Sequence, residues 1–176
     1  MFAYPLLDDA TRAHMLAEFV DDSDAGRVYL SDRLSPAGRV QFPSFLREAI
    51  ESGDSGTLAA KLSAQGIFLP TFQRKKPKGG FTDVTMPVDA HITLGDGEFN
   101  RYYCRAVCIR AATEHQDRVR VVRGKAVLNP RAESEARIGR LLTASTVLAD
   151  LRINPGLDTI LGLPPGPNSG LTLTFP

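Results

Sequence analysis

At 176 residues, with 43% hydrophobic and 23% charged side chains, the chain has the length and composition of a globular protein rather than a disordered one. No apolar run approaches the roughly 20 residues that span a bilayer, so no membrane contact is expected. A net charge of +1 excludes a chain that is basic or acidic throughout.

The first 66 residues form an acidic part, with ten Asp and Glu against six Lys and Arg. Apolar spacing predicts a first helix over residues 9–20, and a β-branched segment predicts a short strand over 27–30. Two further helices, 43–52 and 55–65, each stop at a glycine and form a helical hairpin. The acidic part is therefore predicted to be mainly helical.

Residues 67–95 differ in character and predict an extended basic arm or loop. This stretch contains prolines, a glycine pair and few helix signals, with a β segment expected over 81–86. Its tip is a run of cations that must stay at the surface: Arg74, Lys75, Lys76 and Lys78. Phe72 and Phe81 flank the run, which suits stacking on a base or packing on a partner.

The final part, residues 96–176, predicts a core of helices and strands followed by a tail. The expected elements are a helix over 97–115 capped by Asp96, a strand over 118–127, helices over 134–142 and 145–153, and a strand over 171–175. Prolines and glycines dominate the segment before the last strand, which predicts a rigid extended backbone there. That strand is expected to pair beside 118–127 or to extend the sheet of a neighbouring subunit.

Together these elements predict an α+β fold, with several helices packed on a small sheet. The basic arm and the tail rich in proline and glycine extend from this core. The parts 1–66, 67–95 and 96–176 are expected to form a single domain overall.

A second basic set is predicted on the long helix and the strand that follows it. Arg101 and Arg105 are four residues apart and share a helix face, while Arg118 and Arg120 point to the same side of a strand. If helix and strand pack together, the four arginines form one patch for a polyanion. Ion pairing inside the protein, with Glu98 for example, is the alternative.

No residue pattern indicates a catalytic, metal or cofactor site. Cys104 and Cys108 share a helix face but lack the second ligand pair of a zinc site, so they are interpreted as core residues. The string Gly-Asp-Ser-Gly at 53–56 occurs around protease nucleophiles, but helix capping explains it here. With only two cysteines in the chain, no disulfide framework is expected. We therefore expect a protein that is cytoplasmic or assembled in the cytoplasm into a particle.

The leading functional hypothesis is a non-enzymatic interaction or assembly protein, such as a self-associating subunit of a virion or mobile-element particle that contacts nucleic acid. Its expected partners are protein, including further copies of itself, and nucleic acid. The first alternative is a stand-alone nucleic-acid-binding regulator. The second is an enzyme with a dispersed site, in which carboxylates and His115 would meet in a cleft. For the basic run, a solvated loop and an acidic protein partner also remain open.

Overall fold

The computed structural model describes residues 2–77, 79–155 and 169–176, and it has an α+β fold. The helices are α1 (Asp9–Asp24), α2 (Pro36–Ser52), α3 (Ser55–Leu62), α4 (Ala90–Thr113), α5 (Ala132–Glu135) and α6 (Ala144–Ile153). The strands are β1 (Thr71–Lys75), β2 (Phe81–Thr85), β3 (Arg118–Arg123), β4 (Leu141–Thr143) and β5 (Leu171–Thr174).

Helix α1 begins where predicted but extends one turn further. The Asp8 side chain accepts a hydrogen bond from the backbone N–H of Thr11 at 2.9 Å and caps the helix. Acidic residues beyond the predicted end at 20 continue the helix, and one of them, Asp22, is buried by an ion pair with Arg105. The predicted strand over 27–30 is wrong: no strand forms there, and the backbone N–H of Arg27 donates to the carbonyl of Asp22 at 2.7 Å.

Helix α2 begins at Pro36, not at Pro43 as predicted. Ser35 caps it, with its hydroxyl accepting from the N–H of Gly38 at 3.0 Å, and Pro36 occupies the first turn. Pro43 lies inside the helix, where it cannot donate to the preceding turn. Burial of Phe42 and other apolar side chains in the core compensates for that loss.

Helix α4 begins at Ala90, seven residues before the predicted start at Gly97. Glycine is a poor helix former, but a β-carbon on Gly95 would lie 3.1 Å from the backbone of α3 at Ala59. Close packing of α3 on α4 therefore outweighs the low helix propensity of the glycine-containing first turns of α4. Asp96, the predicted cap, lies inside the helix and pairs with Lys125 at 2.5 Å.

The predicted arm is in part a β-hairpin, in which β1 and β2 pair antiparallel. The strand predicted over 81–86 is confirmed as β2, but β1 was missed. The remaining strands form an antiparallel sheet in the order β4-β3-β5. The expected pairing of the last strand beside β3 is confirmed, with Val121 opposite Leu173. The predicted helix over 134–142 is replaced by the short helix α5 and by β4.

Polar side chains of α4 hold the N-terminal segment and the last strand on the core. The hydroxyl of Tyr103 donates to the carbonyl of Leu173 at 3.2 Å and accepts from the N–H of Leu6 at 3.0 Å. The Asn100 amide donates to the carbonyl of Leu171 at 3.0 Å. These bonds satisfy backbone groups that would otherwise be buried without partners.

One hydrophobic cluster draws residues from α1 to β5, and α4 supplies most of its aromatic side chains. Within the described residues, no helix has the length and apolar character to span a membrane. The predicted extended tail lies in residues 156–168, outside the described ones.

Candidate functional site

In the described part of the chain we consider two candidate sites: the β1–β2 hairpin and a cavity lined by charged residues. In the hairpin (residues 71–85), Arg74 and Lys75 end β1 and Lys76 follows in the turn, all three exposed. None of the three forms an ion pair with a described residue. The predicted fourth cation, Lys78, lies outside the described residues.

One face of the hairpin packs against the body of the protein. Phe72 and Val84 are opposite one another and half-buried, and the guanidinium of Arg33 lies 4.2 Å from the centre of the Phe72 ring. The opposite face carries Lys75 and its cross-strand partner Phe81, whose side chain is 65% exposed. An accessible aromatic ring thus lies beside unpaired positive charge.

The predicted surface patch of Arg101 and Arg105 is wrong. The two side chains do share a face of α4, but they are only 7% and 3% exposed. That face is directed into the protein, where carboxylates of α1 and α4 neutralise it. Both arginines are therefore buried, whereas Arg118 and Arg120 are exposed, and the four do not form one surface patch.

Arg105 forms the centre of a buried charge cluster between α1 and α4. Its Nε donates to Glu18 at 2.6 Å and its Nη1 to Asp22 at 2.5 Å. The Tyr102 hydroxyl also donates to Asp22, at 3.0 Å. Because a buried charge is tolerated only when it is paired and hydrogen-bonded, these contacts explain why three ionised groups occupy the interior.

A second buried pair lies one turn earlier on α4. The Arg101 guanidinium donates to both carboxylate oxygens of Glu98, at 3.0 and 3.2 Å, and to the carbonyl of Asn154 at 3.0 Å. Burial raises the pKa of Glu98, and the charge of Arg101 opposes that rise without cancelling it. A perturbed carboxyl next to a cavity marks a candidate functional region.

Two more exposed arginines complete the cluster at its rim. Arg27 pairs with Asp22 at 3.2 Å, and Arg152 donates from its Nε to Glu18 at 3.0 Å. Burial alone would raise the pKa of both carboxyls, but hydrogen bonds and positive charge from Arg152 and Arg105 lower that of Glu18. Hydrogen bonds from Arg105, Tyr102 and Arg27, together with the charge of Arg105, lower the pKa of Asp22. Both carboxyls are therefore held in the ionised form.

A cavity of about 360 Å³ opens beside these ion pairs. Residues from the end of α1, the loop after it, α4 and α6 line it. It brings carboxylates and guanidinium groups together. The hypothesis of an enzyme with a dispersed site expected carboxylates and His115 to meet in one cleft, and the cavity contains the carboxylates. His115 does not line it, but lies exposed just beyond the C-terminus of α4 with a φ of 58°.

Arg118 and Arg120 are exposed on β3, as predicted, and neither forms an ion pair with a described residue. Their side chains project from the same strand, since the intervening Val119 is buried in the core. They remain candidates for contact with an anionic partner.

The thiols of Cys104 and Cys108 are buried in the core, where burial raises the pKa of Cys108 to about 12. No group of three or more His, Cys, Asp or Glu in the described part of the chain is placed to hold a metal ion. Because the thiolate is the reactive form, we expect neither cysteine to react with a thiol reagent at pH 8 in the native state, and both to react once denaturant unfolds the chain. Rapid labelling of the native protein, followed by mass spectrometry, would contradict this burial.

Sequence reasoning missed the acidic half of the charge cluster. Glu18 and Asp22 are four residues apart on α1, which is the spacing of Arg101 and Arg105 on α4. Two helices with matched polar pairs at this spacing can bury them against each other. That correspondence was the signal available in the sequence.

Comparisons with known proteins give no relative: the sequence matches no family model, no curated protein and no solved structure.

Proposed function

We propose that this protein is a non-enzymatic interaction protein that binds nucleic acid through its basic hairpin. The observation that supports the proposal is the exposed ring of Phe81 directly opposite Lys75, with Lys76 next in the turn and Arg74 exposed on the other face; none of these three cations has an ion-pair partner among the described residues. Two-stranded ribbons are an established way of presenting side chains to nucleic acid.

The charge of the hairpin favours a polyanion over other partners. Its sequence has four Lys and Arg against the single acid Asp83, whose carboxylate accepts a hydrogen bond from Gln73. Unpaired cations release counterions from phosphates when they bind, which drives association at low salt. An acidic protein surface would attract the same cations, but it would not require an exposed aromatic ring.

Phe81 makes single-stranded nucleic acid the favoured form. In a single strand the bases are unstacked and can lie on an aromatic side chain, which contributes about 1–3 kcal/mol per base. In a duplex the base faces are covered by their neighbours. The hairpin therefore combines a backbone contact through its cations with a base contact through Phe81.

The test is fluorescence anisotropy with a short labelled single-stranded oligonucleotide at low salt. Lys75→Glu/Lys76→Glu is expected to weaken binding by about 100-fold and to reduce the slope of log affinity against log salt by about 1.4, the value for two lost phosphate contacts. Phe81→Ala is expected to weaken binding about tenfold, with little change in that slope.

The matched control is Arg39→Glu/Arg47→Glu, which makes the same charge change on exposed positions of α2. This variant is expected to keep most of the affinity. Absence of binding by the unmodified protein at low salt would contradict the proposal, as would equal losses in the two double variants. Replacing Arg118 and Arg120 by glutamate in the same assay measures whether β3 also contributes to the affinity for the oligonucleotide.

The assembly and regulator hypotheses share this contact and differ in oligomeric state. Size-exclusion chromatography with light scattering separates them: a self-associating subunit forms defined oligomers at high concentration, whereas a regulator acting alone stays monomeric.

A further inference from the structure

The charged cavity is independent of the hairpin and has the size of a small-molecule site. Its volume of about 360 Å³ lies within the usual range of ligand pockets, roughly 300–1,000 Å³. One part of its wall is apolar and is formed by Val28, Leu30, Leu151 and Ile153. An apolar organic group of moderate size can therefore be buried against this wall, away from water.

The polar part of the wall has hydrogen-bond donors to spare. A guanidinium group has five N–H donors. Among the described residues, Arg101 uses three of them, on Glu98 and Asn154, and Arg105 uses three, on Glu18 and Asp22. Two N–H groups on each of these buried arginines thus have no described protein acceptor.

The charged groups in the cavity wall favour an anion. Four arginines, at 27, 101, 105 and 152, line the cavity with only two carboxylates, those of Asp22 and Glu98, while Glu18 and Asp21 lie close by but outside the lining. The wall thus presents more positive than negative groups to a ligand in a partly desolvated space.

We propose that this cavity binds a small organic acid, with its carboxylate on the spare N–H groups of Arg101 and Arg105 and its apolar body against Leu30 and Leu151. Arginine suits this contact because its planar fork matches the two oxygens of a carboxylate. The aromatic ring of Tyr102, already 5.0 Å from the Arg105 guanidinium, adds a flat surface beside the site. No covalent step is involved.

Sodium benzoate is the probe, titrated by isothermal calorimetry and by two-dimensional amide NMR. Saturable binding is expected, with shifts in the amides of residues 26–30 and 98–105. Benzyl alcohol, which has the same ring without the charge, is expected to bind at least tenfold more weakly. Phenyl phosphate, titrated in the same way, distinguishes a carboxylate site from a general oxyanion site. We expect benzoate to bind more tightly than phenyl phosphate.

Two variants assign the binding to this cavity. Glu98→Gln/Arg101→Gln removes one guanidinium together with its own carboxylate, so that no buried charge is left unpaired, and it is expected to weaken benzoate binding at least tenfold. Val28→Phe fills the apolar wall without touching any ion pair and is expected to do the same. The control Asp32→Asn/Arg39→Gln neutralises an exposed pair elsewhere and is expected to bind normally.

The proposal is overturned if benzoate gives no saturable signal up to its solubility limit, or if benzyl alcohol binds as tightly. It is also overturned if Val28→Phe, once shown by circular dichroism to be folded, binds benzoate like the unmodified protein. None of these outcomes depends on nucleic-acid binding by the hairpin, because the two sites share no residue.

Discussion

Replacement of Arg105 by methionine is expected to lower the free energy of unfolding by about 3–5 kcal/mol, measured by urea denaturation. Methionine has a similar length and fills most of the space, so the loss arises from charge rather than from a void. Without the guanidinium, Asp22 and Glu18 remain almost fully buried with only the more exposed arginines at the rim. The penalty is the desolvation of carboxylates that have lost their main partner.

A triple variant separates this charge effect from general damage to the core. Glu18→Gln/Asp22→Asn/Arg105→Met removes the carboxylates together with the arginine, and we expect it to recover most of the lost stability. Arg39→Met, which breaks an exposed pair, is expected to change stability by less than about 1 kcal/mol. A single variant Arg105→Met as stable as the unmodified protein would mean that water reaches the cluster.

The pH dependence of stability gives a second readout of the same cluster. The pKa values of Glu18 and Asp22 are lowered in the folded protein, so the stability they contribute is present above their unfolded values and lost as the pH falls through the folded ones. Unfolded carboxyls titrate near pH 4, so the loss begins there. In the triple variant this acid-dependent loss is expected to be smaller.

Gly38→Ala is expected to destabilise the protein by about 1–3 kcal/mol in the same measurement. A β-carbon at this position would lie 2.1 Å from the carbonyl oxygen of Ile67, which is far inside van der Waals contact. The obstacle is backbone that cannot rotate away, because this carbonyl also accepts the N–H of Ser35 at 2.9 Å. The gain in helix propensity from alanine, about 1 kcal/mol, offsets only part of the overlap.

Gly56→Ala on α3 is the matched control for this prediction. Its new β-carbon would lie 3.2 Å from Oδ1 of Asp54, which caps α3 by accepting from the backbone N–H of Thr57 at 2.8 Å, so this side chain has to shift by only a few tenths of an ångström. We expect a change within about 1 kcal/mol, which helix propensity makes favourable. Equal stability of the two alanine variants would show that α2 does not approach residue 67 as closely as described.

The sequence predicted helix faces better than it predicted what those faces meet. The spacing of Arg101 and Arg105 correctly placed them on one side of a helix, but two arginines on one face usually indicate a solvated surface. Only the position of α1 in space shows that two carboxylates cover that face. The charged cavity could not be predicted for the same reason, since its wall combines residues from distant parts of the chain.

The predicted boundaries of helices and strands were wrong where tertiary packing outweighs the secondary-structure propensity of the local sequence. The helix predicted over 97–115 begins instead at Ala90, because the contact of Gly95 with α3 stabilises the earlier turns. Pro43 resembled a helix start, although Ser35 and Pro36 provide one. Strand β1 was missed because its exposed cations resemble a loop, whereas a β segment was expected at the position of β2. The surface position of Arg74, Lys75 and Lys76 followed from charge alone, which is the part of the candidate site that a sequence can predict.

The bonds from α4 to β5 have a consequence for how chains of this protein meet in concentrated solution. Strand β5 is at the edge of its sheet, and such an edge is a template on which another chain can add a strand. Here the carbonyls of Leu171 and Leu173 are already occupied by Asn100 and Tyr103. An incoming strand would have to displace both side chains, so uncontrolled polymerisation through this edge is suppressed.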